Sequence, residues 1–284
     1  MRFWLSCAML DSPPVPATIP IVVLTSIHNP LLKDIRRAAA KGALTSDGSA
    51  LAEGFHLLEE ALSSGAHIHA VVSAESAATR VGERLNRREI RQEVVDDKVF
   101  EGLATSESTQ GVLTLVRWKH WTLEELETSL LVVLDQLQDP GNAGAVIRAA
   151  EAFGASGVVL LKGSVHAYNP KALRGSAGSA FRLPVVQGVS AEEVIAFLEQ
   201  RGVKLYAAMP RGGASLAESD LRAPCAFAIG SEAHGVSEAL SAAATPVRIP
   251  TKQVESLNAA VAAAVLLYEA QRQKKQAESL FHTS

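Results

Sequence analysis

Short apolar runs recur at regular intervals through the second half of this chain, and that rhythm constrains its fold more than any other feature. The runs lie at 130–134, 158–161, 205–209, 226–229 and 247–249, with helical patterns between them at 143–153, 191–201 and 235–243 and a last helix over 257–275. Strands that are apolar on both faces have to be covered on both faces, and alternation with helices supplies the cover. The expected architecture is therefore α/β with a mostly parallel sheet.

The first half reads as a smaller α/β unit. Asn29-Pro30 opens a helix running to about Ala40, because proline suits a first turn. Leu57, Leu58, Ala61 and Leu62 sit at helical spacing within 54–64, and Gly65 stops that helix. Strands are expected at 67–73 and 111–116, a charged helix at 75–88 and a short helical piece at 99–104. These elements divide the chain into a disordered extension (1–20), a first domain (21–117), a linker (118–128) and a second domain (129–284). The apolar start is short and is followed by Asp11 and Pro13, Pro14, Pro16 and Pro20 instead of a small-residue cleavage site, so an extension is expected there and not a secretory signal. Met9 offers an alternative start.

Composition narrows the class of activity. The chain has 284 residues and a net charge of −3, spread evenly: 12 Lys/Arg against 14 Asp/Glu in 1–117, and 15 against 16 after it. Nucleic acid would have to be held by local clusters and not by bulk positive charge. Two cysteines cannot make a disulfide framework, which fits a reducing, cytoplasmic setting, and Cys225 reads as a small buried hydrophobe. No dinucleotide glycine fingerprint, phosphate loop or zinc signature is present, and the eight histidines are scattered, so no metal is expected. The apolar run within 259–267 is too short to span a bilayer, and no membrane partner is expected.

Chemistry-bearing residues gather in three segments, each after a strand. In the first, 134–150, Asp139-Pro140-Gly141 is a turn and Asn142 is the expected N-cap of a helix burying Val146, Ile147, Ala150 and Phe153. Helical side chains lean toward the N-terminus, so Arg148 would hang over Gly144 and Ala145, whose small size leaves room for a ligand. The second segment, 228–235, ends a strand in a glycine-rich turn holding one acid, Glu232, and Gly230 permits close backbone approach. The third, 247–260, has Pro250 after a strand end and Ser256 as the expected cap of the last helix, which would bury Leu257, Val261, Ala264, Val265 and Tyr268. Read singly, each segment is also an ordinary capped helix or turn.

In this order and spacing the three segments resemble the three motifs of the SpoU (TrmH-like) family of RNA 2′-O-ribose methyltransferases, within the SPOUT superfamily, over about residues 129–276. Asn142, Arg148 and Glu151 match the first motif; Gly230, Glu232 and Gly235 the second; Ile249-Pro250 and Glu255-Ser256-Leu257-Asn258 the third. The stretch Arg174-Gly-Ser-Ala-Gly178 is also similar to the family's. Ser231 stands where the family often has Asn, and Thr251 where it often has Met; both alter pocket detail only. The first half resembles the L30e-like RNA-binding domain of many members, through 26–32, Glu53-Gly54 and Thr109-Gln110-Gly111.

The resemblance implies a C-terminal trefoil knot, a homodimer with its active site across the interface, and S-adenosyl-L-methionine as cofactor. It places Arg148, Asn142, Ser256 and Asn258 in catalysis. Met209, Gly230, Ser231, Glu232, Ile249, Ser256 and Leu257 would hold the cofactor, with Glu232 holding the pocket or a partner arginine in place. Arg148 either acts as the base or clamps the target phosphate; a guanidinium hardly deprotonates, which favours the clamp. RNA contacts would come from Lys33, Arg36, Arg37, Lys41, Lys171 and Arg174. Arg80, Arg84, Arg87, Arg88 and Arg91 are interleaved with Glu83 and Glu89 and read as a solvated face. Ribosomal RNA of the 23S type is the expected substrate by analogy with two-domain members, with transfer RNA as the alternative. A non-catalytic RNA-binding protein of the same fold, and an unrelated α/β nucleotide-binding enzyme, are the rival classes.

Overall fold

The computed structural model describes residues 23–24, 29–86, 88–231 and 233–281. In chain order the first half runs β1 (Val23–Leu24), α1 (Pro30–Lys41), β2 (Ser49–Glu53), α2 (Phe55–Ser63), β3 (Ile68–Ala74), α3 (Ala78–Leu85), β4 (Gln92–Val95), α4 (Asp97–Glu101) and β5 (Val112–Arg117). These strands form one mixed sheet in the order β1-β4-β3-β5-β2, with β5 antiparallel to both β3 and β2. The expected charged helix over 75–88 is shorter: a 3-10 turn at Glu75–Ala77 leads into α3, and Asn86 closes it in the left-handed region at φ 42°.

The second half runs β6 (Leu130–Asp135), α5 (Pro140–Ala152), β7 (Gly157–Leu161), α6 (Pro170–Ser176), β8 (Val185–Val189), α7 (Ala191–Gln200), β9 (Lys204–Ala208), β10 (Ala214–Ser215), β11 (Cys225–Gly230), α8 (Glu238–Ala243), β12 (Thr245–Arg248) and α9 (Ala259–Phe281). Its seven strands order as β10-β12-β9-β11-β6-β7-β8, and every pairing is parallel. All the carboxyl ends therefore share one edge, which is where ligands of open α/β sheets sit.

Three helices start with one local device, an Asx side chain followed by proline. Asn29, Asp139 and Asn169 each accept a backbone N–H from the first turn, from Leu31, Asn142 and Lys171 at 2.9, 2.6 and 2.9 Å. The prolines have no N–H to leave unsatisfied there. Asp139 is thus the cap of α5, not Asn142 as the sequence suggested; a proline at the first helical position fixes the cap one residue before it.

Helix α5 buries Ala143, Gly144, Val146, Ile147 and Ala150, while Phe153 is only partly covered. Fully burying Val146 and Ile147 contributes roughly 1.5–3 kcal/mol each. Gly144 does not make room for a ligand. A Cβ there would stand 2.3 Å from the Ala172 carbonyl oxygen, because α6 crosses directly over it.

Helix α9 departs furthest from expectation. It packs through Ala259, Ala263, Leu266, Leu267 and Ala270, each buried, while Val261, Val265 and Tyr268 are 50%, 36% and 54% exposed. Two apolar stripes compete on this alanine-rich helix, and the one with small residues is the one that lies against the rest of the chain. Asn258, and not Ser256, caps it: its Oδ1 accepts from the N–H groups of Ala260 and Val261 at 3.0 and 3.3 Å. Arg272 pairs with Glu269, and Lys274 Nζ donates to the Ala223 carbonyl at 2.7 Å, well before the end of the helix at Phe281.

The two sheets share a core. Ala50, Ala52, Leu57, Val116 and Trp118 from the first half pack in one cluster with Leu130, Val132, Ile147 and Leu173 from the second. The stretch between them is anchored, not loose: Trp118, Leu123 and Leu126 are buried, and a 3-10 turn at Leu123–Glu125 begins in a Thr122–Glu125 capping box.

Candidate active site

A cavity of about 420 Å3 opens at the carboxyl ends of β9, β11 and β12. Its wall includes Met209, Gly230, Ser231, Ile249, Ser256 and Leu257, so six of the seven residues expected around a cofactor share one chamber. Glu232, the seventh, lies outside the described residues. Thr251 is in the same wall, as are Pro210 and His234, which sequence reasoning missed. The volume is that of a site for a small organic ligand.

The loop after β11 is shaped by backbone approach. A Cβ on Gly230 would come within 1.9 Å of Gly235, so only glycine fits. The Gly235 N–H donates to the Ser231 carbonyl at 2.8 Å, and Gly235 itself has φ 70°. At the far end of this loop the buried Asp135 carboxylate accepts the Ser237 N–H at 2.7 Å. Asp135 pairs in register with Gly230, so β6 holds the loop at both ends. The third loop is shaped by Thr251, whose hydroxyl donates to the Val254 carbonyl at 2.8 Å.

Asn142 and Asn258 meet. The Asn258 Nδ2 donates to the Asn142 Oδ1 at 3.0 Å, joining the first turn of α5 to the cap of α9. Because Asn258 follows Ser256 and Leu257 directly, the bond ties the cavity wall to the start of α5. Arg148 stands six residues further along α5, about 9 Å at 1.5 Å per residue. It is exposed, and among the described residues it makes no ion pair. The structure therefore brings Asn142, Asn258, Ser256 and the cavity together and sets Arg148 above them on the same helix.

The cationic residues separate. Arg36, Lys41 and Lys171 line one cleft of about 510 Å3 between the two halves, whose wall also includes Pro140 and Asn169. Lys33 is exposed on α1, and Arg37 pairs with Asp34. Arg174 is engaged between the halves: its Nη1 donates to Thr105 Oγ1 at 2.6 Å and stands 3.7 Å from the buried Glu53 carboxylate. Of the arginine run of the first half, Arg87 lies outside the described residues, and Arg80, Arg84 and Arg91 are occupied within their own surface. Arg84 pairs with Glu59 and Arg91 with Glu93, while Arg80 and Arg84 lie over the Phe55 ring at 3.9 and 4.7 Å. Cys225 is buried, and burial pushes its thiol up to about 11, so it stays protonated and inert at neutral pH.

Comparison with known proteins agrees with this geometry. The SpoU rRNA methylase family model matches residues 129–268, and an MRM3-like substrate-binding domain model matches 29–114. An uncharacterized tRNA/rRNA methyltransferase of Synechocystis is 36% identical over 91% of this chain and 97% of its own. The 23S rRNA (guanosine(2553)-2′-O)-methyltransferase RlmP of Bacillus subtilis is 34% identical over 86% of this chain and 97% of its own. The crystal structure of an AdoMet-bound rRNA methyltransferase from Sinorhizobium meliloti superposes with a TM-score of 0.78, at 29% identity, covering 89% of this chain and 98% of that one. The fold and the site define a SPOUT-type methyltransferase. The chain belongs to the SpoU rRNA methylase family.

Proposed function

We propose that the chain transfers a methyl group from S-adenosylmethionine to a ribose 2′-hydroxyl of RNA, with 23S-type ribosomal RNA as the substrate. The observation that carries this reading is the Asn258–Asn142 hydrogen bond. It joins the wall of the ligand-sized cavity to the start of α5, and Pro140 at that start lines the cleft bearing Arg36, Lys41 and Lys171. A methyl donor and an RNA strand would meet there.

The cavity fits the cofactor class. Ile229, Val247, Ile249 and Leu257 give it an apolar wall for an adenine ring, and Gly230 lets backbone approach closely. When bound, S-adenosylmethionine supplies a methyl carbon on a good sulfur leaving group, so positioning dominates the rate gain. Backbone groups at Met209, Gly230, Ile249 and Leu257 would hold the adenosine and methionine portions, and Ser256 and Asn258 would border the point of transfer. Arg148 clamps the phosphate beside the target ribose and turns the 2′-hydroxyl toward the cavity, and a phosphate oxygen accepts the hydroxyl proton as the new C–O bond forms. Asn142 steers the ribose.

Residues 21–117 form the RNA substrate-binding domain in this reading, presenting α1 to the strand. The exposed stripe Val261, Val265 and Tyr268 on α9 supports a homodimer. An exposed apolar stripe of this kind, outside the monomer's own core, suits a contact with a second copy. The knot implied by the family belongs to the same proposal, since the loops after β9, β11 and β12 all line the cavity. A cytoplasmic location follows from the substrate, and no helix among the described residues is long and apolar enough to cross a membrane. Incubation with methyl-labelled S-adenosylmethionine and either ribosomal or transfer RNA tests the substrate class. Label in 23S RNA at a ribose oxygen is expected; label confined to transfer RNA, or to a base, contradicts it.

A further inference from the structure

Helix α5 carries Arg148 and Glu151 three residues apart, so the two side chains lie on neighbouring ground and could form an ion pair. The carboxylate of Glu151 is instead taken by Arg182, which follows the 3-10 turn Ser179–Phe181. Arg182 Nε donates to one carboxylate oxygen at 2.5 Å and Nη2 to the other at 2.9 Å, a two-pronged grip. The remaining arm of Arg182, Nη1, reaches Glu60 on α2 of the first domain. These bonds hold the Glu151 carboxyl below its ordinary range, with the Arg182 hydrogen bond the largest cause, so it carries full charge at neutral pH. Among the described residues nothing pairs with Arg148.

We propose that Arg182 is a positioning residue for methyl transfer: by occupying Glu151 it keeps the Arg148 guanidinium unpaired and open to an RNA phosphate. This rests on the reading of Arg148 given above. A lone Glu151 would compete with the phosphate in two ways. It would draw Arg148 into a pair along the helix, and its charge would repel the phosphate that Arg148 has to hold. Arg182 outcompetes Arg148 for Glu151 because it meets both carboxylate oxygens at once, whereas Arg148, three residues away on the same exposed helix face, can offer only a weak solvated pair.

The test uses the full-length protein and single-turnover rates with RNA and cofactor saturating. An exposed pair three residues apart is worth up to about 1 kcal/mol, or about fivefold, so Arg182→Ala should slow methyl transfer by about that factor with cofactor affinity unchanged. Adding Glu151→Gln to Arg182→Ala should restore the rate to near the original, because no carboxylate is left to capture Arg148. Glu151→Gln alone, and Glu60→Gln alone, should keep the original rate, and they serve even if Arg182→Ala does not fold. A double variant as slow as Arg182→Ala, or a slow Glu151→Gln, would assign Arg182 and Glu151 a purely structural role and overturn the inference. A slow Glu60→Gln would point to the link between domains as the cause and overturn it as well. Arg148→Ala separates the two levels: if it is fully active, the role of Arg148 itself falls, and the inference with it.

Discussion

Gly230 shows how one missing side chain can define a site. Its α-carbon lies so close to Gly235 that any Cβ would overlap the backbone there, and that backbone is cavity wall. Gly230→Ala has to push the loop after β11 outward, and calorimetry should find affinity for S-adenosylmethionine lowered at least about tenfold, the equivalent of ~1.4 kcal/mol. Unchanged affinity would show that this loop does not touch the ligand. Asn258 carries two duties through one amide. Its oxygen caps α9 and its nitrogen reaches Asn142. Asn258→Ala should destabilise the fold by about 1 kcal/mol through loss of the cap. Asn258→Asp keeps an acceptor for the cap but loses the donor to Asn142, so in urea titration it should match the original stability while methyl transfer falls. Equal stability loss in both variants would contradict this division of labour.

Among the elements, the parallel strands of the second half were legible because period and composition agree: β6, β7, β9 and β11 are continuous apolar runs between helical patterns. β2 was not, because Ser49–Glu53 contains no β-branched or aromatic residue; its five residues are strand only because β5 pairs with them and the shared core buries them. β8 and α6 were missed for a related reason, being short and dependent on neighbours. The cavity wall was legible through the family resemblance, since six of its residues were named from the sequence and lie in one chamber. The helix caps at Asp139 and Asn258 were misplaced because Ser, Asn and Asp all offer cap chemistry, and only the proline register and the tertiary path choose among them. The buried side of α9 was misread because periodicity finds an apolar stripe without saying which of two goes inward. Its outer stripe should hold two copies together. Sedimentation should give twice the chain's mass, and Tyr268→Glu with Val265→Asp should give the monomer; a wild-type monomer at micromolar concentration would remove the dimer from the proposal.

At the scale of the molecule, the cleft between the halves exists because the halves are fixed to each other. Glu53 is 5% exposed, and Thr105 N–H, Thr105 Oγ1 and Ser106 Oγ donate to its carboxylate at 2.8, 2.5 and 2.7 Å beside Arg174. Burial raises its affinity for protons, but the hydrogen bonds together outweigh burial and set its pKa below the ordinary 4.5. A depressed carboxyl stabilises the folded state above its unfolded pKa and loses that contribution as the pH falls through the folded value. Glu53→Gln should therefore be less stable than the original protein at pH 7, and the gap should close below about pH 4.5; a gap that is the same at pH 3 and pH 7 would show that the charge is irrelevant. The same pairing of halves brings Arg36, Lys41 and Lys171 into one cleft with Pro140 at the start of α5, so that RNA held in the cleft would meet the helix bearing Arg148. The most direct measurement is methyl transfer and cofactor binding in Arg148→Ala, taken side by side. Binding of S-adenosylmethionine within about twofold of the original protein, together with a loss of RNA 2′-O-methylation of at least about a hundredfold, is the expected result. Full methylation by that variant, or loss of cofactor binding in step with activity, would contradict the separation of a donor cavity from a guanidinium that positions the RNA.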